Sequence, residues 1–286
     1  MLALEHERLF DEALQWALKG LQLPRRRSVG PAEGAHLGTR GGPGEDFFQH
    51  RAYVAGEDLR TVDFRASARS GQLLVKELHR PLRQPLVLVV DASASMGLYG
   101  KVRCALQLAA GLGLLALRRG DPVSLVGLQQ ARLLPLGRLL APRHPALAVE
   151  AMFGRLERTG AAQLFEALGG PWPVSLSGAH VVVISDLYGA LPRATEAFAR
   201  LTALAGAVTL AQVLAPAELA LPAELRTLRD VETDEETLVG PEERDAFAQR
   251  VEAWRAALRT AIAGRGEWLD VDASVPAGLT LRRWLA

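Results

Sequence analysis

Asp91, Ser93 and Ser95 occupy every second position in the stretch LVLVVDASASMG, Leu86 to Gly97. One carboxylate and two hydroxyls are hard oxygen ligands. If the loop curls they converge on one point, and such a set suits magnesium, calcium or manganese rather than zinc. Ala92 and Ala94 are small enough to permit a tight curl, and Gly97 offers relief of strain before the next element. Asp186 ends a second apolar run, VVVIS, and is the natural fourth member. Two carboxylates would roughly neutralise a divalent ion, and an open coordination position would accept a carboxylate from outside. A plainer reading has Asp91 and Ser93 cap the following helix. Ser95, Asp186 and the two strand ends together favour the metal site.

Other chemistries fail on single residues. Gly100-Lys101 resembles the end of a phosphate loop, yet Ser95 stands where its first glycine belongs and Val102 replaces the final hydroxyl. His6-Glu7 opens like a metalloprotease helix, but Phe10 holds the second histidine's place. There is no G-x-S-x-G elbow and no G-x-G-x-x-G after a strand. Ser93 stands where an aspartyl phosphatase needs a second acid, and histidines 6, 36, 50, 79, 144 and 180 show no paired ligand spacing. The lone cysteine, Cys104, allows neither an internal disulfide nor a cysteine zinc cluster, and falls in an apolar helical pattern that places it in the core.

The elements that must position Asp91 and Asp186 alternate in type. Leu86 to Val90, DPVSLVGL, HVVVISD, AVTLAQVL and EWLDV read as strands. Lys101 to Arg118, Pro145 to Arg158, a segment opening at AQLFEALG, Arg193 to Ala205, and Pro241 to Ala263 read as helices. Alternation sustained over roughly 200 residues implies a doubly wound, mostly parallel α/β sheet, with ligands beyond the carboxyl ends of its strands. That domain is assigned to residues 84–286. Ahead of it, Leu4 to Leu21 reads as an amphipathic helix with Phe10, Leu14, Ala17, Leu18 and Leu21 on one face, giving an N-terminal segment 1–23. Residues 24–83 read as a glycine- and arginine-rich loop followed by a β-rich segment. There Val62, Phe64 and Ala66 alternate, Arg69-Ser70-Gly71 signals a turn, and an extended run covers 73–78, together predicting a β-hairpin.

The chain has 286 residues, 49% of them apolar, and a formal net charge of +1, so it can build a substantial core and is not composed as a dedicated nucleic-acid binder. Arg25, Arg26, Arg27 and Arg40 keep a weak anionic-surface or nucleic-acid role open as an alternative. The longest apolar stretch, Ala105 to Leu117, contains Gln107 and falls short of the roughly 20 residues that a membrane-spanning helix needs. No signal peptide is evident. The expectation is a soluble, cytoplasmic protein.

Asp91-Ala92-Ser93-Ala94-Ser95 resembles the D-x-S-x-S signature of von Willebrand factor A domains. Upstream, HRAYVAGEDLRTVDFRASARSGQLLVKE resembles the R-x-Y-x-x-G-D-D-x-R-x-I-D-W…S-A-R…V-K block of the bacterial domain-of-unknown-function family 58. Arg51, Tyr53, Gly56, Asp58, Arg60, Asp63, Ser67, Ala68, Arg69 and Lys76 carry that match. LAPAELALP and DVETDE resemble the family's D-P-x-E-x-x-x-P and D-x-E-T tail. The resemblance implies a von Willebrand A-like sheet behind a β-rich segment. It also implies a metal-ion-dependent adhesion site, and an adaptor or co-chaperone role beside a MoxR-type AAA+ ATPase, without catalytic activity. Departures from the block are mild at Glu57 and Phe64. A larger one is RTGAAQL, which places Ala162 at the expected threonine ligand, with Thr159 as the possible substitute. Losing one neutral ligand implies a low-affinity magnesium site, which manganese or calcium would also fit. A magnesium-dependent hydrolase using Asp91 and Asp186 is the competing class, and it lacks an evident nucleophile and base.

Overall fold

A computed structural model describes residues 8–24, 40–42, 46–80, 83–157, 160, 163–221, 225, 227–229 and 236–286. The chain parts into two units, Ala32–Arg83 and a larger one made of Met1–Pro31 with Gln84–Ala286. The larger unit begins with a short helix, α1 (Glu12–Ala17), capped by the Asp11 side chain. The sequence predicted Leu4 to Leu21. The described helix is shorter, but Phe10, Leu14, Ala17 and Leu18 are buried as expected.

The smaller unit holds β1 (Arg40–Gly42), β2 (Asp46–Ala52), α2 (Phe64–Ser70) and β3 (Leu74–Arg80). Its antiparallel sheet has the order β1-β3-β2. Of the strand expected at 62–66, Val62 alone pairs with the 73–78 run, in an isolated antiparallel bridge to Val75; the rest leads into α2, and the strand partners of that run are β2 and β1. Local capping explains the difference. The Asp63 carboxylate accepts from the N–H groups of Arg65 and Ala66, each at 3.1 Å. The Ser67 hydroxyl then donates to the Asp63 carbonyl at 2.7 Å and accepts from Leu74 N at 2.8 Å, which ties the helix to β3. Within α2, the adjacent Ala66 and Ser67 are buried while Phe64 is exposed, which is not an alternating pattern.

The remaining elements of the larger unit are β4 (Leu86–Val90), α3 (Lys101–Arg118), β5 (Val123–Gln129), β6 (Arg132–Leu139), α4 (Pro145–Phe153), α5 (Leu164–Gly169), β7 (His180–Ser185), α6 (Leu191–Leu204), β8 (Ala207–Leu214), α7 (Pro216–Leu219), β9 (Thr227–Arg229), β10 (Glu236–Leu238), α8 (Pro241–Ile262), β11 (Glu267–Asp272) and α9 (Ala277–Leu285). The main sheet has the order β11-β8-β7-β4-β5-β6. Its pairings are parallel except for β6, which runs antiparallel on β5. This is the doubly wound, mostly parallel architecture expected. Within β4, Leu86, Leu88 and Val90 enter one core and Val87 and Val89 the other. The period-two geometry of a strand thus feeds both faces, so the run has no polar position. α3 lies on the first face with α4 and α9, and α1 packs on α9. α5, α6 and α8 cover the second.

β6 and α9 were not anticipated. Pro135 and mostly solvent-facing positions disguise β6, and an edge strand tolerates both. α4 stops at Phe153, short of the expected Arg158, with Gly154 as its cap. Because Asp63 supplies both capping bonds of α2, Asp63→Ala is expected to destabilise the protein by about 1–2 kcal/mol. Urea unfolding checks this, and a loss below about 0.5 kcal/mol would contradict the capping assignment.

Candidate functional site at the carboxyl edge of the sheet

β4 and β7 are hydrogen-bonded neighbours in parallel register, Val90 opposite Ile184. Asp91 and Asp186 each follow the last residue of their strand, so both emerge at the same edge. Asp91 N donates to the Ile184 carbonyl at 3.0 Å, which fixes the start of the first loop. The Asp91 carboxylate is folded back on its surroundings: Oδ1 accepts from Ser93 N at 2.8 Å and Oδ2 from the Ser185 hydroxyl at 2.7 Å. Ser93 and Ser95 bring their hydroxyl oxygens to 3.2 Å of each other. Asp91, Ser93 and Asp186 are buried and Ser95 half-buried. Asp91 does not cap α3, whose cap position is Gly100 in a left-handed conformation with φ 74°. The strain expected at Gly97 therefore falls at Tyr99, φ 53°, and Gly100. Leu187, directly after Asp186, is also left-handed at φ 62°, and its N–H donates to the Ser185 hydroxyl at 3.0 Å.

Sequence reasoning missed the residue that dominates this edge. Lys101, the first residue of α3, is fully buried. Its ammonium donates to Asp186 Oδ2 at 2.9 Å and to Glu218 Oε1 at 2.5 Å, and lies 5.7 Å from the centre of the Tyr188 ring. Glu218 sits on α7, where its other oxygen accepts from Ala215 N at 2.8 Å. Tyr188 stacks on Trp254 of α8 at 5.0 Å. The Gln212 side chain donates to the Asp186 carbonyl at 3.1 Å and accepts from Arg255. Two signals were present in the sequence: a lysine heading a mostly apolar helix, and the glutamate of LAPAELALP.

Asp91 and Asp186 therefore have different environments. Asp186 faces a cation, whereas among the described residues no cation pairs with Asp91. Burial pushes the Asp91 carboxyl above the usual carboxylate range, and the charge of Asp186 pushes the same way. Hydrogen bonds from Ser185 and Ser93 oppose both. In this structure Oδ2 of Asp186 faces Lys101. What fits a hard divalent ion is the triad Asp91, Ser93 and Ser95. It offers a buried carboxylate without a counter-charge beside two hydroxyls, at about the 3 Å that separates neighbouring ligand oxygens around octahedral magnesium. Among the described residues no cluster of three or more acidic, histidine or cysteine side chains is arranged to hold a metal. Thr159 and Ala162 lie outside the described residues, as do Arg25, Arg26 and Arg27. Gly160 is described, and its carbonyl accepts from Ala94 N at 3.2 Å.

The block in the smaller unit is largely structural. Arg51 holds Glu57 through two hydrogen bonds of 2.8 and 2.5 Å, and the Tyr53 hydroxyl donates to the Glu57 carbonyl. The bonds from Arg51 keep the Glu57 carboxyl below its ordinary range. Gly56 adopts φ 102°, which favours glycine. Asp58 caps the turn Leu59–Thr61. Asp63 caps α2 and bonds His50 at 3.0 Å. Ala68, Arg60 and Arg69 are exposed. Lys76 and Arg40 lie in β3 and β1, and their side chains are outside the described part.

A family model described as "Protein of unknown function DUF58" matches residues 49–258. Uncharacterized proteins of Mycobacterium tuberculosis and Mycobacterium bovis are 34% identical over 95 residues, 33% of this chain and 30% of theirs. The chain thus spans about a third of the length of these curated relatives. Among solved structures, BatB from Bacteroides thetaiotaomicron is 17% identical, covering 70% of this chain and 96% of that one, with a TM-score of 0.39. A von Willebrand factor type A protein from Catenulispora acidiphila is 13% identical, covering 74% and 43%, with a TM-score of 0.39. The pilus adhesin SpaC from Lactobacillus rhamnosus GG is 10% identical, covering 72% and 29%, with a TM-score of 0.44.

A carboxyl whose folded pKa exceeds its unfolded value holds more protons when folded, so its contribution to stability falls as pH rises from the unfolded value through the raised one. Asp91→Asn is therefore expected to raise the thermal midpoint at neutral pH in EDTA, with the gain vanishing below about pH 4. A lowered midpoint at neutral pH would show that the bonds to Ser93 and Ser185 outweigh the buried charge. Lys101→Met should cost about 3–5 kcal/mol by denaturant titration, since it strands two carboxylates.

Proposed function

As the chain belongs to the DUF58 family, we propose that it is a non-enzymatic protein-interaction module, an adaptor or co-chaperone for a MoxR-type AAA+ ATPase, acting in the cytoplasm. One observation carries this reading: a buried carboxylate that has no counter-charge among the described residues, Asp91, beside two converging hydroxyls at the carboxyl edge of a parallel sheet. Asp91, Ser93 and Ser95 are the residues that would hold magnesium, with manganese or calcium as substitutes. The ion would supply an electron-poor position for a partner's carboxylate. Leu98, Tyr99, Tyr188 and Leu219, on the loops after β4 and β7 and on α7, are exposed apolar side chains suited to contact with a protein surface. Among the described residues no helix is long and apolar enough to cross a membrane.

Hydrolysis is less well supported. The Cys104 thiol is buried and pushed up to about 11 by that burial and by Asp272, which leaves it a poor nucleophile at neutral pH. The hydroxyls of Ser93 and Ser95 are paired with each other.

Affinity capture from native bacterial lysate tests the proposal. Wild-type chain in magnesium is expected to retain a MoxR-type ATPase, and EDTA or Asp91→Ala to reduce retention at least ten-fold. Equal capture by Asp91→Ala would remove the metal bridge, and an eluate without the ATPase would remove the partner. Magnesium-dependent phosphatase or esterase turnover lost in Asp91→Ala would establish the hydrolase instead.

A further inference from the structure

Lys101 bears directly on how strongly that edge can hold an ion. Its ammonium is fully buried, within 2.9 Å of Asp186 Oδ2 and 2.5 Å of Glu218 Oε1. Asp186 N and Asp91 N continue adjacent strands, and Asp91 senses the charge of Asp186. A divalent ion at Asp91, Ser93 and Ser95 would therefore form near a fixed ammonium that already engages Oδ2 of the second carboxylate. Affinity for hard cations follows the number of charged ligands and the rigidity of the site. Here the charged set is reduced to one, and the reduction is built in, because Lys101 is anchored from two elements, β7's end and α7.

We infer that Lys101 is a resident cation that competes with a metal ion for Asp186, withdraws that carboxylate from coordination, and sets the divalent affinity of this edge low. It is a positioning residue, acting through Asp186 and Glu218. The inference rests on the preceding reading that Asp91, Ser93 and Ser95 can hold an ion, and it adds the residue that limits them. It also gives a role to Glu218, which lies 117 positions from Lys101 in the chain. The glutamate keeps the ammonium neutralised and in place, and keeps α7 at the site.

The test is a magnesium titration by calorimetry and a manganese titration by electron paramagnetic resonance on the full chain. The variants are Lys101→Met and the double variant Lys101→Met with Glu218→Gln, with circular dichroism confirming the fold. The double variant removes the ammonium while leaving one fewer stranded carboxylate, so it keeps the experiment interpretable if the single variant does not fold. Removing the ammonium is expected to tighten binding at least ten-fold, and adding Asp186→Asn is expected to abolish that gain. A folded double variant that binds as weakly as wild type would overturn the inference while leaving the metal reading intact. Asp91-dependent binding that appears only when Lys101 is lost would uphold both the inference and the metal reading. No Asp91-dependent binding in wild type or in any variant would remove the metal reading and overturn the inference with it.

Discussion

A fully buried ammonium between two carboxylates constrains the whole carboxyl edge of the sheet. Removing an ion from water costs several kcal/mol, and Lys101 is tolerated only while Asp186 and Glu218 both reach it. That requirement links segments far apart in sequence. α3 must begin where β7 ends, and α7 must follow β8 at once so that Glu218 turns inward. Tyr188 must follow Asp186 closely enough to lay its ring over the ammonium. Gly100 makes the first condition possible, since its left-handed backbone lets α3 start directly at Lys101.

The apolar framework makes that geometry rigid. β4 sends alternate side chains into two cores, and helices cover each face. α3 is buried along most of its length, so the position of its first residue is set by packing throughout the helix. Ser185 is a small part with a wide reach: its hydroxyl donates to Asp91 and accepts from Leu187, joining the ends of β4 and β7. Arg255 extends the frame outward, through Gln212 to the Asp186 carbonyl.

The sheet was legible because β4 is a continuous apolar run and β7 and β8 are mostly apolar β-formers, and α3 because its span is apolar nearly all round. Asp91, Ser93 and Ser95 could be read from spacing on a strand end. Failures had local or distant causes. At 62–66 the cap formed by Asp63 outweighed the alternating pattern, and at 132–139 edge placement concealed the strand. Lys101 was seen only as a failed phosphate-loop lysine. Its partners lie 85 and 117 positions away, and no periodicity reports pairing over such distances. For Asp186 the proximity to Asp91 was readable, but the cation bonded to it was not.

Tyr99 and Leu187 bracket the two acidic loops in backbone conformations that cost of order 1–3 kcal/mol each for a side-chain-bearing residue. Folding has already settled that cost, through Gly100 and Lys101 on one side and Ser185 on the other. Under the proposed reading the loops would meet an incoming surface preorganised, with little conformational entropy left to lose. A preorganised edge of this kind would select by shape and charge at first contact, leaving the burden of adapting to the partner.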